Sequence, residues 1–278
     1  MSTLRSLTAA EDAKPYARYY HEPVAEPDPA ILSKVSFEAP LDSSEALLPS
    51  AVDELLDADT ATAKSGWCIL PDGAGYMALD YELPGLSVDM VEWWSGWHGI
   101  EDLRYMIWYP PSHYGARVSD KDRVKVLDPS VSAVEKFQGV THFVTEDVGE
   151  GGPSEIAISF LRPEQLGFDM SHFRAGSVRR TAVGGQIVMR APGAPEDAPP
   201  RQLILLHLVT EVPGGVEYRS RFWFGYAFVD GTAVCVLPEG EVVPDHLPIG
   251  CLRHNIEEFS NLRVLLPKLY AEHGGTYS

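Results

Sequence analysis

His254 and Glu258 stand four residues apart in "RHNIEEFSNL". On a helix that spacing puts both side chains on one face, about one turn from each other. An imidazole nitrogen and a carboxylate oxygen are donors that a divalent ion of the zinc type accepts, and from adjacent turns both can reach the same ion. Glu257, next to them, faces elsewhere. The same spacing arises by chance on solvated helix faces, so further ligands are needed from other parts of the chain. His113 follows "YPPS", where two prolines restrict the backbone just ahead of it and hold it at a strand end. Glu146 and Asp147 close the run "THFVTED" at a glycine turn. Alternation along a strand sends these two to opposite faces, so one of them can join the site and the spacing does not choose between them. His98, in "WWSGWHG", competes with His113, but at the end of a helix it reads better as a packed or capping histidine.

The elements that must position these groups are legible in outline. Residues 1 to 65 are rich in Pro, Ala, Asp and Glu, with short helical possibilities such as "SSEALLPSAVDELLDADTATAK", and read as an arm or small helical subdomain. From residue 66 to 278 the texture changes to apolar runs broken by Gly and Pro. Ser87 and Asp89 mark a helix start and Gly99 a stop, with Met90, Trp94 and Trp97 at the spacing of a buried face. "RYMIWYPP" reads as a strand ended by a double proline. Strand signals then follow in "GVTHFVTEDVG", "SEIAISFL", "SVRRTAV", "QIVMRAP", "RQLILLHLVTEV", "VEYRSRFWFGYAFV" and "TAVCVLP". Hairpin punctuation is expected at Gly184 and Gly185, at Pro213 to Gly215, and at Asp230 and Gly231, and such short connections favour antiparallel pairing. "LRHNIEEFSNLRVLLPKLYAEH" is the strongest helix, with Leu252, Ile256, Phe259 and either Leu262 or Arg263 on one stripe, and Pro267 expected to kink or end it. The sum is an α+β domain, a curved antiparallel sheet around a long C-terminal helix, with a cavity between them.

The chain has 278 residues, enough for one large domain or a domain with an arm. It carries 22 Lys+Arg against 40 Asp+Glu, a net charge of -18 that repels phosphate backbones and anionic membranes and excludes nucleic acid as a partner. Cys68, Cys235 and Cys251 are widely spaced and form no CxxC pattern, so they read as small core residues in a reducing compartment. No apolar run reaches the length needed to span a bilayer, which leaves the expectation of a soluble, cytoplasmic protein.

Taken together, "EWWSGWHGIEDLRYMIWYPPSH", "THFVTEDVG", "HLVTEVPGGVEYRSRFWFG" and "RHNIEEFSNL" resemble the 2,4-diacetylphloroglucinol hydrolase and phloretin hydrolase family, over about residues 66 to 263 and in the expected order. The resemblance implies enzymes that hydrolyse the carbon-carbon bond between an acyl group and a phloroglucinol ring. It also implies a helix-grip fold of the START and pollen-allergen kind, bound Zn2+, a homodimer, and an acylated polyphenol as the small-molecule partner. It places the metal ligands on His113, Glu146, His254 and Glu258, taking Glu146 over Asp147. It further implicates Tyr105, on the strand read from "RYMIWYPP", and His207. The pattern departs at "HYGARV", where Ala116 stands in the neighbourhood of an expected polar substrate contact, leaving acetyl or arylpropionyl specificity open.

His207 can also be placed by geometry. With Gly214 and Gly215 at the centre of a hairpin turn, His207 pairs with Phe222, and its face carries Tyr218, Phe222, Phe224 and Tyr226. That is an aromatic wall with one titratable group, suited to a flat phenolic ring. Either Tyr218 or Tyr226 is then the expected substrate contact. Zinc would supply a Lewis acid, His207 would supply or shuttle the proton, and Tyr105 would hold a phenolic oxygen. Trp93, Trp94 and Trp97 would pack the wall behind. The competing class is a non-catalytic binder of apolar or aromatic molecules, which has no use for two histidines and two carboxylates around a metal.

Overall fold

The computed structural model describes residues 4–57, 64–195 and 197–277. Eight strands form one antiparallel sheet: β1 Gly66–Ile69, β2 Gly75–Pro84, β3 His113–Arg117, β4 Thr141–Glu146, β5 Ser154–Phe160, β6 Arg180–Arg190, β7 Arg201–Val212 and β8 Gly215–Phe224. Their spatial order is β1-β2-β8-β7-β6-β5-β4-β3. From β3 onward the chain is a meander of neighbouring strands that returns to pair β8 with β2. The long step is from β2 to β3, across the whole sheet. It carries two helices, α1 Val88–Trp97 and α2 Asp102–Met106, so the tryptophan-rich segment is laid over one face by topology alone. Helix α3, Asp120–Leu127, follows β3, and the chain closes with α4, His246–His273, packed against β1, β2 and α1.

Local chemistry explains the ends of α1. The Ser87 side chain accepts from the Met90 N–H at 3.3 Å and Asp89 sits in the first turn, both as expected of a helix N-terminus. The helix passes into a short 3-10 turn over His98–Ile100. Gly99 is required there for packing: a Cβ on it would lie 2.1 Å from the His142 ring.

Three expectations about strands are corrected. The run "RYMIWYPP" is not a strand. Arg104 and Tyr105 lie in α2, where Leu103, Met106 and Ile107 are fully buried at helical spacing, and β3 begins only at His113. An apolar run without alternation is compatible with either element, and here the buried set follows the helical period. Gly184 and Gly185 do not form a hairpin but sit inside β6. Cβ atoms there would come within 2.7 Å of the Leu205 carbonyl oxygen and 1.9 Å of that of Ser159, so glycine serves close approach to both neighbouring strands. The run "VEYRSRFWFGYAFV" breaks at Gly225, whose φ of +89° ends β8 and starts a separate hairpin, β9 Tyr226–Val229 and β10 Thr232–Cys235, turning at Asp230 and Gly231.

The long helix starts at His246, six residues before Leu252, and Pro267 lies within it without ending it. Leu252, Ile256, Phe259 and Leu262 are buried on its sheet-facing side, whereas Arg263 pairs with Asp28 at 3.2 Å. Two apolar cores result, one on each face of the sheet. The first lies between the sheet and helices α1, α2 and α4 and takes in Tyr16, Tyr19 and Tyr20 of the N-terminal segment. The second covers the far face and takes in Val52 and Leu55 from the 3-10 turns over Pro49–Leu56. The expected helical stretch over residues 43 to 64 appears as short 3-10 turns over Ser43–Glu45 and Pro49–Leu56, and its residues 58–63 lie outside the described ones. Cys68, Cys235 and Cys251 are free thiols. No helix among the described residues is long and apolar enough to cross a membrane.

Candidate active site

His113 opens β3 and Glu146 closes β4, and the two are direct cross-strand partners. Side chains directly opposite in an antiparallel pair share one face and lie within reach of each other; His113 Nε2 is 3.3 Å from Glu146 Oε2. Helix α4 brings His254 and Glu258 to the same point. His254 Nε2 lies 3.3 Å from His113 Nε2, 3.6 Å from Glu146 Oε2 and 3.6 Å from Glu258 Oε2, and the last oxygen lies 3.5 Å from His113 Nε2. All four side chains are buried. Asp147 is excluded: it points the other way and accepts from the backbone N–H groups of Gly149 and Glu150 in its own turn. Glu257 also faces elsewhere, accepting from the Tyr109 hydroxyl at 2.9 Å.

The outer atoms of the cluster are anchored so that the inner ones converge. His113 Nδ1 donates to the Tyr105 carbonyl at 3.2 Å, which leaves Nε2 unprotonated and facing inward. Asn255 donates to Glu258 Oε1 at 3.2 Å, leaving Oε2 for the cluster. The Tyr105 hydroxyl donates to Glu146 Oε2, and its ring stacks on His113 with centroids 4.2 Å apart.

The electrostatics describe a group of donors that wants a cation. Burial pushes Glu258 up to about 8, with the Glu146 charge adding to the effect and His254 opposing it. Burial takes His113 down to about 3. For His254 burial acts downward too, but Glu258 and Glu146 overcome it and raise the imidazole to about 9. Burial would raise Glu146, yet hydrogen bonding and charge from His254, helped by His113 and Tyr105, hold it down at about 2. A single proton can bridge only one pair of these atoms, whereas a divalent cation satisfies all of them. The spacing agrees: bonds of roughly 2.0–2.1 Å at tetrahedral angles put ligand atoms about 3.3–3.4 Å apart, close to the separations above. His113, His254 and Glu258 form a buried set able to hold a metal ion, and Glu146 stands within reach of both imidazoles.

The cluster opens on a cavity of about 120 Å3 between the sheet and helices α1 and α4. One pole is the cluster itself with Tyr105, and aliphatic side chains from β5, β6 and β7 line much of the rest, among them Ile158, Ile187 and Leu205. His207 and Tyr218 are on the wall, as the sequence led us to expect. Their register differs from that reading: His207 pairs with Ser220, not Phe222, because the turn is centred on Pro213 and Gly214. The shift is of two residues, so side-chain parity and the shared face survive it. His207 Nδ1 is 2.7 Å from the Ser220 hydroxyl, and burial lowers the imidazole to about 3. Tyr218 stacks on Tyr81 with centroids 5.7 Å apart.

A family model described as the DAPG hydrolase PhiG domain matches residues 47–271, a span that holds the whole cluster and both cavity walls. The chain belongs to the DAPG hydrolase family. Two curated relatives agree with that placement. The phloretin hydrolase of Eubacterium ramulus is 33% identical over 270 residues, covering 94% of this chain and 91% of the relative. A 2,4-diacetylphloroglucinol hydrolase of a Pseudomonas species is 30% identical over 282 residues, covering 98% and 92%.

Not every residue singled out from the sequence of this hydrolase-family chain reaches the cavity. Tyr226 lies on the far face, where its hydroxyl donates to Asp72 at 2.6 Å, because Gly225 breaks the alternation that would have kept it beside Phe224. Of the tryptophans, Trp94 lines the cavity while Trp93 and Trp97 are packed behind it. Ala116 is buried off the wall, its N–H donating to Asp102 at 3.0 Å. Residues that sequence reasoning passed over are Trp108 and Asn255, both on the wall. Trp108 donates its indole N–H to the Glu258 carbonyl at 3.0 Å. Asn255 carried a readable signal, three residues before Glu258 on the same helix. Trp108 carried none, since its contact joins elements far apart in the chain.

Proposed function

We propose that the protein is a zinc-dependent hydrolase that cleaves the carbon-carbon bond between an acyl group and a phloroglucinol ring, with phloretin or diacetylphloroglucinol as the substrate type. The observation that carries this reading is the convergence of two imidazoles and two carboxylates at one pole of an aromatic-walled cavity, in a chain of the DAPG hydrolase family. His113, Glu146, His254 and Glu258 would hold the ion, which when bound supplies a Lewis acid for a substrate oxygen and lowers the pKa of water. The sheet and α4 around the cavity support a helix-grip assignment.

The leaving group in this reaction is a ring carbon, so the ring must first become a better one. A trihydroxybenzene does so by tautomerising: a proton added at the acyl-bearing carbon gives a ketone ring, and water then adds to the acyl carbonyl. The ring-acyl bond breaks with its electron pair going to the ring, which rearomatises as the phenol, and the acyl group leaves as the carboxylic acid. His207 is suited to moving the proton. Its Nδ1 partner is a hydroxyl, which can donate or accept, so the ring can hold its proton on either nitrogen as the reaction requires. Burial keeps it neutral until a substrate group faces it. Tyr105, at the metal pole, orients the acyl-bearing side of the ring, and Tyr218 offers a hydroxyl from the opposite strand. The apolar walls exclude bulk water and fit the ring faces.

Incubation of the protein with phloretin and with diacetylphloroglucinol, with product analysis and metal analysis of the same sample, tests the reading. The expected result is a deacylated phenol and a carboxylic acid, with about one zinc per chain. Intact substrate in both incubations, with no bound metal, would place the protein among carriers. A homodimer, which we carry over with the family, is tested by light scattering on the same sample.

A further inference from the structure

His98 ends the tryptophan helix and lies on the cavity wall. Its Nδ1 is 2.7 Å from the Trp94 carbonyl oxygen. A carbonyl only accepts, so Nδ1 carries the hydrogen, and in the neutral ring Nε2 is left as a bare acceptor. Nε2 makes no hydrogen bond among the described residues. The ring cannot turn to hide it. It is stacked on Trp94 with centroids 5.0 Å apart and on Tyr105 at 5.9 Å, and it meets Trp108 at 5.5 Å and His142 at 5.3 Å edge to face. Packing and a main-chain hydrogen bond therefore hold an acceptor of fixed tautomer on the wall of a mostly apolar cavity. Burial lowers this imidazole to about 4, which agrees with a neutral ring.

We infer that His98 Nε2 is a substrate-recognition group that accepts a hydrogen bond from a phenolic hydroxyl of the ring. The inference rests on the acylphloroglucinol reading above and adds a contact to it. The Tyr105 ring lies between the two histidines, stacked on His113 at 4.2 Å and on His98 at 5.9 Å, which sets His98 one ring farther from the metal pole than His113. A group there meets a hydroxyl on the body of the ring and not the acyl carbonyl at the cluster. The chemistry matches: each hydroxyl of a trihydroxybenzene loses water on entering this cavity and needs an acceptor, and an unprotonated imidazole is one. His98 thereby differs from His207, whose hydroxyl partner leaves its tautomer free to change.

The test is calorimetric binding of phloroglucinol to the zinc-loaded protein and three variants. His98→Phe keeps the stacked ring and removes the acceptor. His98→Asn keeps a donor for the Trp94 carbonyl and has nothing at the Nε2 position. His98→Gln reaches that position with a carboxamide oxygen. Expected are a roughly tenfold weaker affinity for phloroglucinol in the Phe and Asn variants, unchanged zinc content, and partial recovery in His98→Gln. Should His98→Phe not fold, the Asn and Gln pair gives the same comparison. Phloroglucinol affinity within twofold of the starting protein in the folded Phe and Asn variants, or a loss in His98→Gln as large as in His98→Asn, overturns the assignment. Failure of the unsubstituted protein to bind phloroglucinol at all would remove the acylphloroglucinol reading, and this contact with it.

Discussion

The two faces of the sheet use the same strands to opposite ends. Along β7, Leu205 and His207 face the cavity while Leu206 and Leu208 face the second core, and along β8, Tyr218 and Phe222 face the cavity while Trp223 faces away. On the far face several large polar side chains are tied to the scaffold, although the Tyr76 hydroxyl and Arg221 Nε are buried there without a partner among the described residues. The Trp223 indole donates to the Leu47 carbonyl at 2.7 Å, the Arg221 guanidinium pairs with Asp80 at 3.1 Å, and Tyr226 donates to Asp72 at 2.6 Å. On the cavity face His98 and His207 each spend one ring nitrogen on the protein, and the second nitrogen of each makes no hydrogen bond among the described residues. Buried polar atoms that the fold leaves open are costly unless something else binds them. The open histidine nitrogens belong to residues of the cavity wall, where a ligand can reach them, and period-two alternation is what lets one strand serve both faces.

That contrast can be broken deliberately. The largest effect is expected from His254→Ala, which removes one imidazole from the cluster: bound metal and activity should fall to background together, read by elemental analysis and a product assay, and a fully active metal-free variant would end the metal-site proposal. Next is His207→Gln, which should lower kcat by about 10²–10⁴ while metal content stays at that of the parent; an unchanged rate would strip His207 of its proton-moving role. On the far face the signs should separate. Trp223→Ala should destabilise the fold by about 3–5 kcal/mol, seen as a lower Tm, with turnover per folded, metal-loaded molecule preserved. Tyr226→Phe should cost only about 1 kcal/mol and leave kcat and KM where they were. A selective loss of turnover in Tyr226→Phe would restore this residue to the site and blur the division between the faces.

The parts of the site that were readable from the chain are those set by neighbours in sequence. His254 and Glu258 are brought together by one helical turn, and the Ser87 cap by the first turn of α1. His207 and Tyr218 share the cavity wall although their observed register differs by two residues from the one the turn predicts, because parity along a strand tolerates an even slip. Parity fails where a backbone turn intervenes, and the positive φ of Gly225 sent Tyr226 to the far face. The apolar run predicts a strand for Tyr105, and the residue stands on a helix. It reaches the site all the same, because its hydroxyl is directed by Glu146 and its ring by His113 and His98. The second nitrogen of His98 was invisible for a related reason: its tautomer depends on a carbonyl one turn earlier and its fixed orientation on rings from several elements.

By itself, the amino-acid sequence determined which donors this protein has, the helical pairing of His254 with Glu258, and the alternation that separates the two faces of each strand. These follow from backbone periods of 3.6 and 2, which act over a few residues. Local periods do not choose between Glu146 and Asp147, whereas the family resemblance does; the tertiary structure shows Glu146 facing His113 across β3 and β4, α4 bringing His254 and Glu258 to that point, and which ring nitrogens are left without a protein partner among the described residues. The arrival of α4 depends on packing between segments far apart in the chain, as in the separation of 141 residues between His113 and His254, and no local period carries that information.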